Sequence, residues 1–150
     1  MHVTSASKRM SPRTAPAPVV LIRSSAYSSL PSPGNRVGPA DASNMPCIVA
    51  PGTSSAITAA DGAHHYRFFG IEIKSGSGNN VTSLVTLGNA ASSLANFPTD
   101  ITFDRCYIHN ASGGSGRRGL WFDVIRGAIV DSYISGFRSE EHTSELQSQR

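Results

Sequence analysis

The stretch DITFDRCYIHN, residues 100–110, decides the fold. Four apolar residues in it are expected to face inward: Ile101, Phe103, Cys106 and Ile108. Consecutive members of this set are separated by two, three and two positions in the sequence. Steps of two place side chains on the same face of a strand. The step of three, across Asp104 and Arg105, indicates a tight corner that redirects the chain while the next pair still faces inward. The stretch is therefore predicted to be two short strands joined at a corner.

The same steps occur twice more, 35 residues upstream and 26 residues downstream. The upstream set is Tyr66, Phe68, Ile71 and Ile73, and the downstream set is Gly127, Ile129, Ser132 and Ile134. A third inward pair follows twelve residues after each of the first two sets: Val85 with Leu87, then Leu120 with Phe122. Each repeat thus has three short strands, and stacked repeats would build one continuous core.

These repeats predict an all-β solenoid of about three regular coils, preceded by an irregular N-terminal coil. The irregular coil is expected to use Ile57 with Ala59, Ile48, and Val20 with Ile22. A β-sandwich would need longer alternating strands joined by hairpin turns, and the chain has no helical periodicity. Both alternatives therefore fit the sequence less well.

Four segments carry a resemblance to a known class: GAHHYRFFGIEI (62–73), DITFDRCYIHN (100–110), RRGLWF (117–122) and IVDSYISGF (129–137). Across residues 23–137 the chain resembles bacterial right-handed parallel β-helix proteins of the pectin-lyase-like class. The resemblance implies a right-handed parallel β-helix and an extracellular or cell-surface location. It does not imply one activity, because this fold hosts lyases, hydrolases, epimerases and non-catalytic binders.

Three regions are expected along the chain. Residues 1–18, rich in Ser, Ala and Pro and without a continuous apolar run, are predicted to be a disordered leader and not a signal peptide. Residues 19–137 are predicted to form an incomplete β-helix. Residues 138–150 contain RSEEHTSELQS (138–148), which resembles a translated short-read sequencing adapter, and are expected to be an artefact tail, with the true protein continuing past Phe137. An acidic helical tail is the alternative.

Charge and composition exclude several classes of function. Residues 24–137 contain seven basic and seven acidic residues, so they present no net charge to phosphates. We therefore expect no nucleic-acid partner, and no apolar run is long enough to span a membrane. Cys47 and Cys106 have no metal-ligand spacing and are expected to be thiols. His64 and His65 are expected in a turn before a strand, without acidic or cysteine partners, so a metal site is not expected there.

The candidate binding residues are Trp121, Asp123, Arg117 and Arg118. Trp121 lies between two inward residues and should face outward, where an indole can stack on a sugar ring. Asp123 follows this strand, and both arginines precede it from the loop 111–116. The resemblance implies that this sheet forms a carbohydrate groove. The alternatives are that the arginines are only solvated and that a loop covers Trp121.

No catalytic residue is assigned. A glycosidase needs two carboxylates that flank the bond, and nothing pairs Asp104, Asp123 and Asp131, two of which border corners where Asp is an ordinary turn residue. Polysaccharide lyases of this class use Arg or Lys as the base, often with calcium, so calcium is implied by the resemblance alone and no other cofactor is expected. A second outward column, Glu72, Tyr107 and Tyr133, is predicted to be a sheet-stabilising ladder, with sugar binding as the alternative.

The function is expected to be that of a secreted β-helix protein that binds or processes polysaccharide as a lyase or hydrolase. The alternative is a non-catalytic glycan-binding or cell-surface solenoid, and a truncated reading frame without function is a third reading. Because the last predicted repeat exposes unpaired strand edges, the chain is also expected to associate with itself.

Overall fold

The computed structural model describes residues 2–3, 8–10, 19–88, 91 and 93–138. This part of the chain is mostly strand, and its helical segments are short 3₁₀ turns at Tyr27–Ser29, Pro39–Asn44 and Leu94–Asn96. The strands in chain order are β1 (His2–Val3), β2 (Lys8–Met10), β3 (Val20–Arg23), β4 (Cys47–Val49), β5 (Ile57–Ala59), β6 (His64–Phe69), β7 (Glu72–Lys74), β8 (Asn80–Leu87), β9 (Thr99–Asp104), β10 (Tyr107–His109), β11 (Ser115–Phe122), β12 (Ile125–Val130) and β13 (Tyr133–Ser135). The predicted all-β class is confirmed.

The strands form three parallel sheets. Sheet A has the order β1-β4-β7-β10-β13, sheet B has β11-β8-β5-β2, and sheet C has β12-β9-β6-β3. Successive strands therefore visit sheets A, B and C in turn, so that neighbours within a sheet are three strands apart in the chain. Three consecutive strands make one repeat, and each repeat lies beside the next.

The register aligns the repeats as their spacing predicts. Phe103 lies opposite Phe68 and Ile129, Ile108 lies opposite Ile73 and Ile134, and Leu120 lies opposite Val85. The irregular coil is aligned as well, with Val20 opposite Tyr66, Ile48 opposite Ile73, and Ile57 opposite Val85. The repeat inferred from the steps of two, three and two is thereby confirmed.

The predicted corner, between sheets C and A, is a left-handed residue in each of three repeats. Gly70, Arg105 and Asp131 have φ values of 62°, 49° and 46°. The backbone N–H of Gly70 donates to Asp104 O at 3.0 Å, and that of Arg105 donates to Val130 O at 2.9 Å. Hydrogen bonding therefore continues through the corner at Gly70 and Arg105, and at Arg105 this pairing offsets the cost of a left-handed conformation in a non-glycine residue.

The core lies inside the three sheets. Its fully buried members include Phe68, Phe103, Ile57, Ile71, Ile73, Leu84, Leu87, Ile101 and Ile108. Cys106 is also fully buried, and burial raises the pKa of its thiol to about 12. Leu84 is an inward residue that the spacing argument omitted, since that argument identified only Val85 and Leu87 on this strand, and β8 begins at Asn80.

Residues 24–46 leave the repeat between β3 and β4 and pack on the outside of the corner. Leu30, Val37 and Met45 form a second apolar cluster with Phe69 and Tyr107. Tyr107 is 9% exposed beneath this segment, and its ring centroid lies 5.7 Å from that of Tyr133. Sugar binding at Tyr107 is therefore contradicted, because the chain itself covers the ring. Tyr107 and Tyr133 instead pack side by side as the predicted aromatic ladder.

The two terminal regions lie mostly outside the described residues. Within 1–18, which was expected to be a disordered leader, His2–Val3 pairs with β4 and Lys8–Met10 pairs with β5. Within 138–150 only Arg138 is described, and its N–H donates to Gly116 O at 3.0 Å. No helix in the described ranges is long and apolar enough to cross a membrane.

Candidate functional site

Strand β11 positions the candidate residues because its side-chain alternation breaks near its middle. Leu120 and Phe122 pack against the main core. A Cβ on Gly119 would lie 2.6 Å from the inward side chain of Ile134, so Gly119 also faces inward. Two consecutive inward positions, 119 and 120, put residues 118 and 121 on the same outer face. Leu84 and Val85, both fully buried, are the same pair in β8.

Arg118, Trp121 and Asp123 form one connected group on this outer face, here called the Trp121 cluster. The guanidinium carbon of Arg118 lies 4.5 Å from the centroid of the Trp121 ring, a cation–π contact. Trp121 Nε1 donates to Asp123 Oδ2 at 2.5 Å. These contacts fix the indole plane between a cation and a carboxylate. With Leu120 and Phe122, the three residues line a shallow depression of about 240 Å³.

Asp123 is held in place by the backbone. Its N–H donates to Leu87 O at 3.0 Å, which continues the pairing of β8 with β11. The chain passes so close to Gly88 that a Cβ there would lie 2.3 Å from Asp123 O, and Gly88 has a φ of 80°. A glycine is therefore favoured at position 88, because a side chain there would collide with the backbone of Asp123.

Arg117 is placed differently from the other three candidates. It is exposed on β11 and is not among the residues that line the depression. Both arginines were predicted to follow the loop 111–116 and precede the strand, but β11 begins at Ser115 and includes them. The structure thus brings Arg118, Trp121 and Asp123 into contact with one another, whereas Arg117 lies outside this cluster.

A second, smaller depression of about 110 Å³ lies along the same outer face. Thr58, Thr86, Asp61, Asn96 and Pro98 are among its lining residues. Thr86 is paired in register with Trp121, and its hydroxyl lies 2.8 Å from that of Ser55. Small hydroxyl side chains therefore continue the face of the Trp121 cluster onto the two preceding strands of sheet B.

The other candidate carboxylates have structural partners elsewhere. Asp104 is 5% exposed and is paired with Arg67 and with Arg105 Nε, the latter at 3.0 Å. Asp131 Oδ2 accepts a hydrogen bond from the N–H of Gly34 at 2.7 Å. These two carboxylates therefore stabilise the corner and its contact with segment 24–46.

The outer face of sheet A carries a half-buried polar cluster. The sequence predicted that Glu72 lies on this face, but not that Cys47 lies beside it. Glu72 Oε1 accepts hydrogen bonds from His109 Nε2 at 2.8 Å and Lys74 Nζ at 3.2 Å. The hydrogen bond from His109 lowers the pKa of Glu72 to about 2. Burial raises the pKa of Cys47 to about 12, and the neighbouring Glu72 adds to the rise. Cys47 could have been found from the sequence, because Ile48 was assigned to the interior and its neighbour must face outward.

His65 has an acidic neighbour that the sequence did not reveal. Its Nε2 lies 3.8 Å from Asp100 Oδ2, and Arg126 Nε and Nη2 each donate to Asp100 at 2.8 Å. The hydrogen bond from Arg126 lowers the pKa of Asp100 to about 2. Residues 65, 100 and 126 occupy equivalent positions of successive repeats, all at positive φ. In the described ranges no three His, Cys, Asp or Glu side chains are arranged to hold a metal ion.

Comparison with known proteins finds no matching family model, no matching curated protein and no matching solved structure.

Proposed function

We propose that this chain forms a right-handed parallel β-helix that binds polysaccharide through the outer face of sheet B, outside the cell or at its surface. The cyclic order of strands through three parallel sheets supports the helical path. The hand is supported by a general rule, because nearly all crossovers between parallel strands of one sheet are right-handed. The location rests on the resemblance, and finding the native protein inside its host cell would contradict it.

The observation that carries the binding proposal is the Trp121 cluster. Sugar rings present apolar C–H faces and polar rims, and proteins hold them with an aromatic plane flanked by hydrogen-bonding groups. Trp121 supplies the plane, Asp123 supplies an acceptor for sugar hydroxyls, and Arg118 supplies donors for hydroxyls or for a uronic acid carboxylate. The hydroxyls of Thr58 and Thr86 extend the face, so a chain of sugars could cross several strands.

Binding is favoured over hydrolysis by the placement of the acids. Hydrolysis requires a second carboxylate across the scissile bond from the first. Asp104 and Asp131 are engaged at the corner, on another part of the molecule. Asp123 is itself engaged by the Trp121 indole. The placement of the acids among the described residues therefore supports glycan binding over hydrolysis at this face.

The test is a binding measurement by titration calorimetry with polygalacturonate fragments and neutral oligosaccharides of the same length. Trp121→Ala should weaken binding by at least about fivefold, corresponding to about 1 kcal/mol of stacking. The melting temperature of this variant should change little, because the half-buried indole is not part of the apolar core. Arg118→Gln should reduce binding of the acidic ligand more than that of the neutral one.

Tyr27 provides the matched control. Its ring is 42% exposed and carries the guanidinium of Arg23 at 4.2 Å, so it has the same kind of cation–π pair outside sheet B. Tyr27→Ala should leave glycan binding unchanged. Equal losses in the Tyr27 and Trp121 variants, or no binding of any glycan by the unmodified chain, would contradict the proposal.

A further inference from the structure

The outer face of sheet C carries an apolar groove at its β3 edge, here called the β3 groove. Its volume is about 540 Å³, which lies within the usual range of pockets that hold small molecules. Its lining residues are Val19, Leu21, Arg23, Tyr27, Arg67 and Phe69. None of them lines the two depressions of the proposed glycan face on sheet B. The β3 groove is therefore a separate candidate site.

Strand β3 and the residue before it place two apolar side chains and one cation in a line on this face. Val19, Leu21 and Arg23 are two residues apart, and alternate residues of a strand share one face. Val19 and Leu21 are 59% and 51% exposed. The residues that alternate with them, Val20 and Ile22, pack against the core instead. One end of the groove is thus apolar and the other end is cationic.

Two aromatic rings border the cationic end. Tyr27 follows β3 in a short 3₁₀ turn, and its ring centroid lies 6.2 Å from that of Phe69, with 65° between the planes. The guanidinium of Arg23 lies 4.2 Å from the Tyr27 centroid. That of Arg105 lies 4.2 Å from the Phe69 centroid. One face of each ring is therefore taken by a cation, which leaves the groove better suited to an aliphatic chain than to a flat aromatic ligand.

Positive charge is in excess at the same end. Arg67 and Arg105 both pair with the buried carboxylate of Asp104. Asp104 and Arg23 lie on either side of Phe69 in one register row, so all of these charges are close together. No carboxylate among the described residues pairs with Arg23. Three guanidinium groups and one carboxylate therefore meet here, and an anionic ligand group would offset the excess.

We propose that the β3 groove binds a small amphipathic carboxylate, an acid with an unbranched aliphatic chain, at one molecule per chain. The guanidinium of Arg23 holds the carboxylate, with Arg67 beside it, because guanidinium groups donate paired N–H groups to carboxylates. The chain lies along Leu21 towards Val19, and its burial there removes apolar surface from water. Four residues of a parallel strand span about 13 Å, which fits a chain of about eight to ten carbons.

Titration calorimetry with octanoate, 1-octanol and octylamine tests the charge preference of the site. The three probes share one aliphatic chain and carry an anionic, a neutral and a cationic head group. Octanoate should bind at one site per chain and at least about tenfold more tightly than either of the others. Butanoate keeps the carboxylate but has a shorter chain, and should bind at least about tenfold more weakly than octanoate.

Substitutions separate a built site from general attraction. Arg23→Gln should reduce the affinity for octanoate at least about tenfold and leave the affinity for octanol unchanged. Arg36→Gln removes the same charge at an exposed position outside the groove, and this matched control should change neither affinity. Leu21→Ser should weaken the binding of both probes, and circular dichroism should show an intact fold because the side chain is half exposed. Trp121→Ala should leave octanoate binding unchanged.

Several results would overturn the proposal: no binding of octanoate at millimolar concentration, equal affinity for octanoate and either of its analogues, or unchanged affinity in Leu21→Ser. Equal losses in Arg23→Gln and Arg36→Gln would show attraction by overall charge alone, and would overturn it too. Many octanoate molecules per chain would show detergent-like adsorption in place of a site. A loss of octanoate binding in Trp121→Ala would move the ligand to sheet B and contradict the β3 groove, without deciding whether glycans bind there.

Discussion

The ring of Phe103 lies over the ring of Phe68, with centroids 4.8 Å apart and an angle of 9° between the planes. That distance is the spacing of neighbouring strands in a sheet. It arises because the two residues occupy the same position in successive repeats. Phe122 packs edge-on against Phe103, with centroids 6.3 Å apart, so the central aromatic ring touches two sheets.

Truncation of Phe103 should therefore be among the most damaging core substitutions. Phe103→Ala should reduce the free energy of unfolding by about 3–5 kcal/mol, the usual cost of removing a buried phenyl ring. Ile129 occupies the equivalent position in the next repeat. Ile129→Ala should reduce the free energy of unfolding clearly less, because that side chain is 41% exposed. Urea unfolding monitored by circular dichroism would measure both. Equal losses would show that burial does not control stability along this column.

The corner glycine makes a second prediction. Gly70→Ala should destabilise the fold for two reasons: its φ is 62°, and a Cβ there would lie 2.3 Å from Leu30 Cδ1. Gly34→Ala is the matched control, since Gly34 also has a positive φ of 88° but nothing lies within 4 Å of an added Cβ. The control should cost about 1–2 kcal/mol for the backbone conformation alone. Thermal unfolding should show a larger loss for Gly70→Ala, and equal losses would mean that Leu30 moves aside freely.

The sequence predicted the repeat well because spacing is a local property. Steps of two on a strand and a fixed corner are set by backbone geometry, so Ile101 to Ile108 was enough to align the neighbouring repeats. Local spacing did not reveal the first halves of β8 and β11, because it identified only the inward pairs in their second halves, and the strands begin at Asn80 and Ser115. It also did not predict where segment 24–46 packs, since that depends on contacts between residues far apart in the chain.

The sequence likewise predicted only part of the candidate site. Alternation correctly placed Trp121 outside, between the core residues Leu120 and Phe122. The contact of Arg118 with its ring could not be predicted, because it depends on the break in alternation at Gly119. Cation and indole are three residues apart, and regular alternation would have put them on opposite faces.

Arg105 fastens segment 24–46 to the corner and provides a third prediction. Its Nη1 donates to Pro31 O at 2.9 Å, and its guanidinium lies 4.2 Å from the ring centroid of Phe69. Arg105→Gln should loosen the segment and speed its cleavage by protease at the exposed residues 32–36. Arg36→Gln, within the exposed stretch, is the control and should leave the cleavage pattern of the folded repeats unchanged. Unchanged cleavage of Arg105→Gln would show that the apolar contacts of Leu30 and Val37 are sufficient.

Glu72 gives a fourth prediction, on the dependence of stability on pH. The hydrogen bond from His109 lowers the pKa of Glu72 from 4.5 to about 2, and the Glu72 side chain is 10% exposed. Because the pKa is lower in the folded chain, the unfolded chain binds the proton more readily. The ionised carboxylate therefore stabilises the fold above pH 4.5, and this contribution is lost as the pH falls from 4.5 towards 2. The contribution is at most on the order of 3 kcal/mol.

Glu72→Gln should remove this acid-sensitive contribution, because the amide keeps the shape but does not titrate in this range. Unfolding free energies measured between pH 2 and 7 should fall less steeply for the variant below pH 4.5 than for the unmodified chain. Asp100→Asn is the comparison: the pKa of Asp100 is also lowered to about 2, by Arg126, but this pair lies at the surface. Its effect should fade as salt screens the exposed ion pair, whereas the effect of Glu72 should persist because its partners exclude solvent. If added salt abolishes both effects equally, Glu72 is solvated in solution and the buried cluster on sheet A is not maintained.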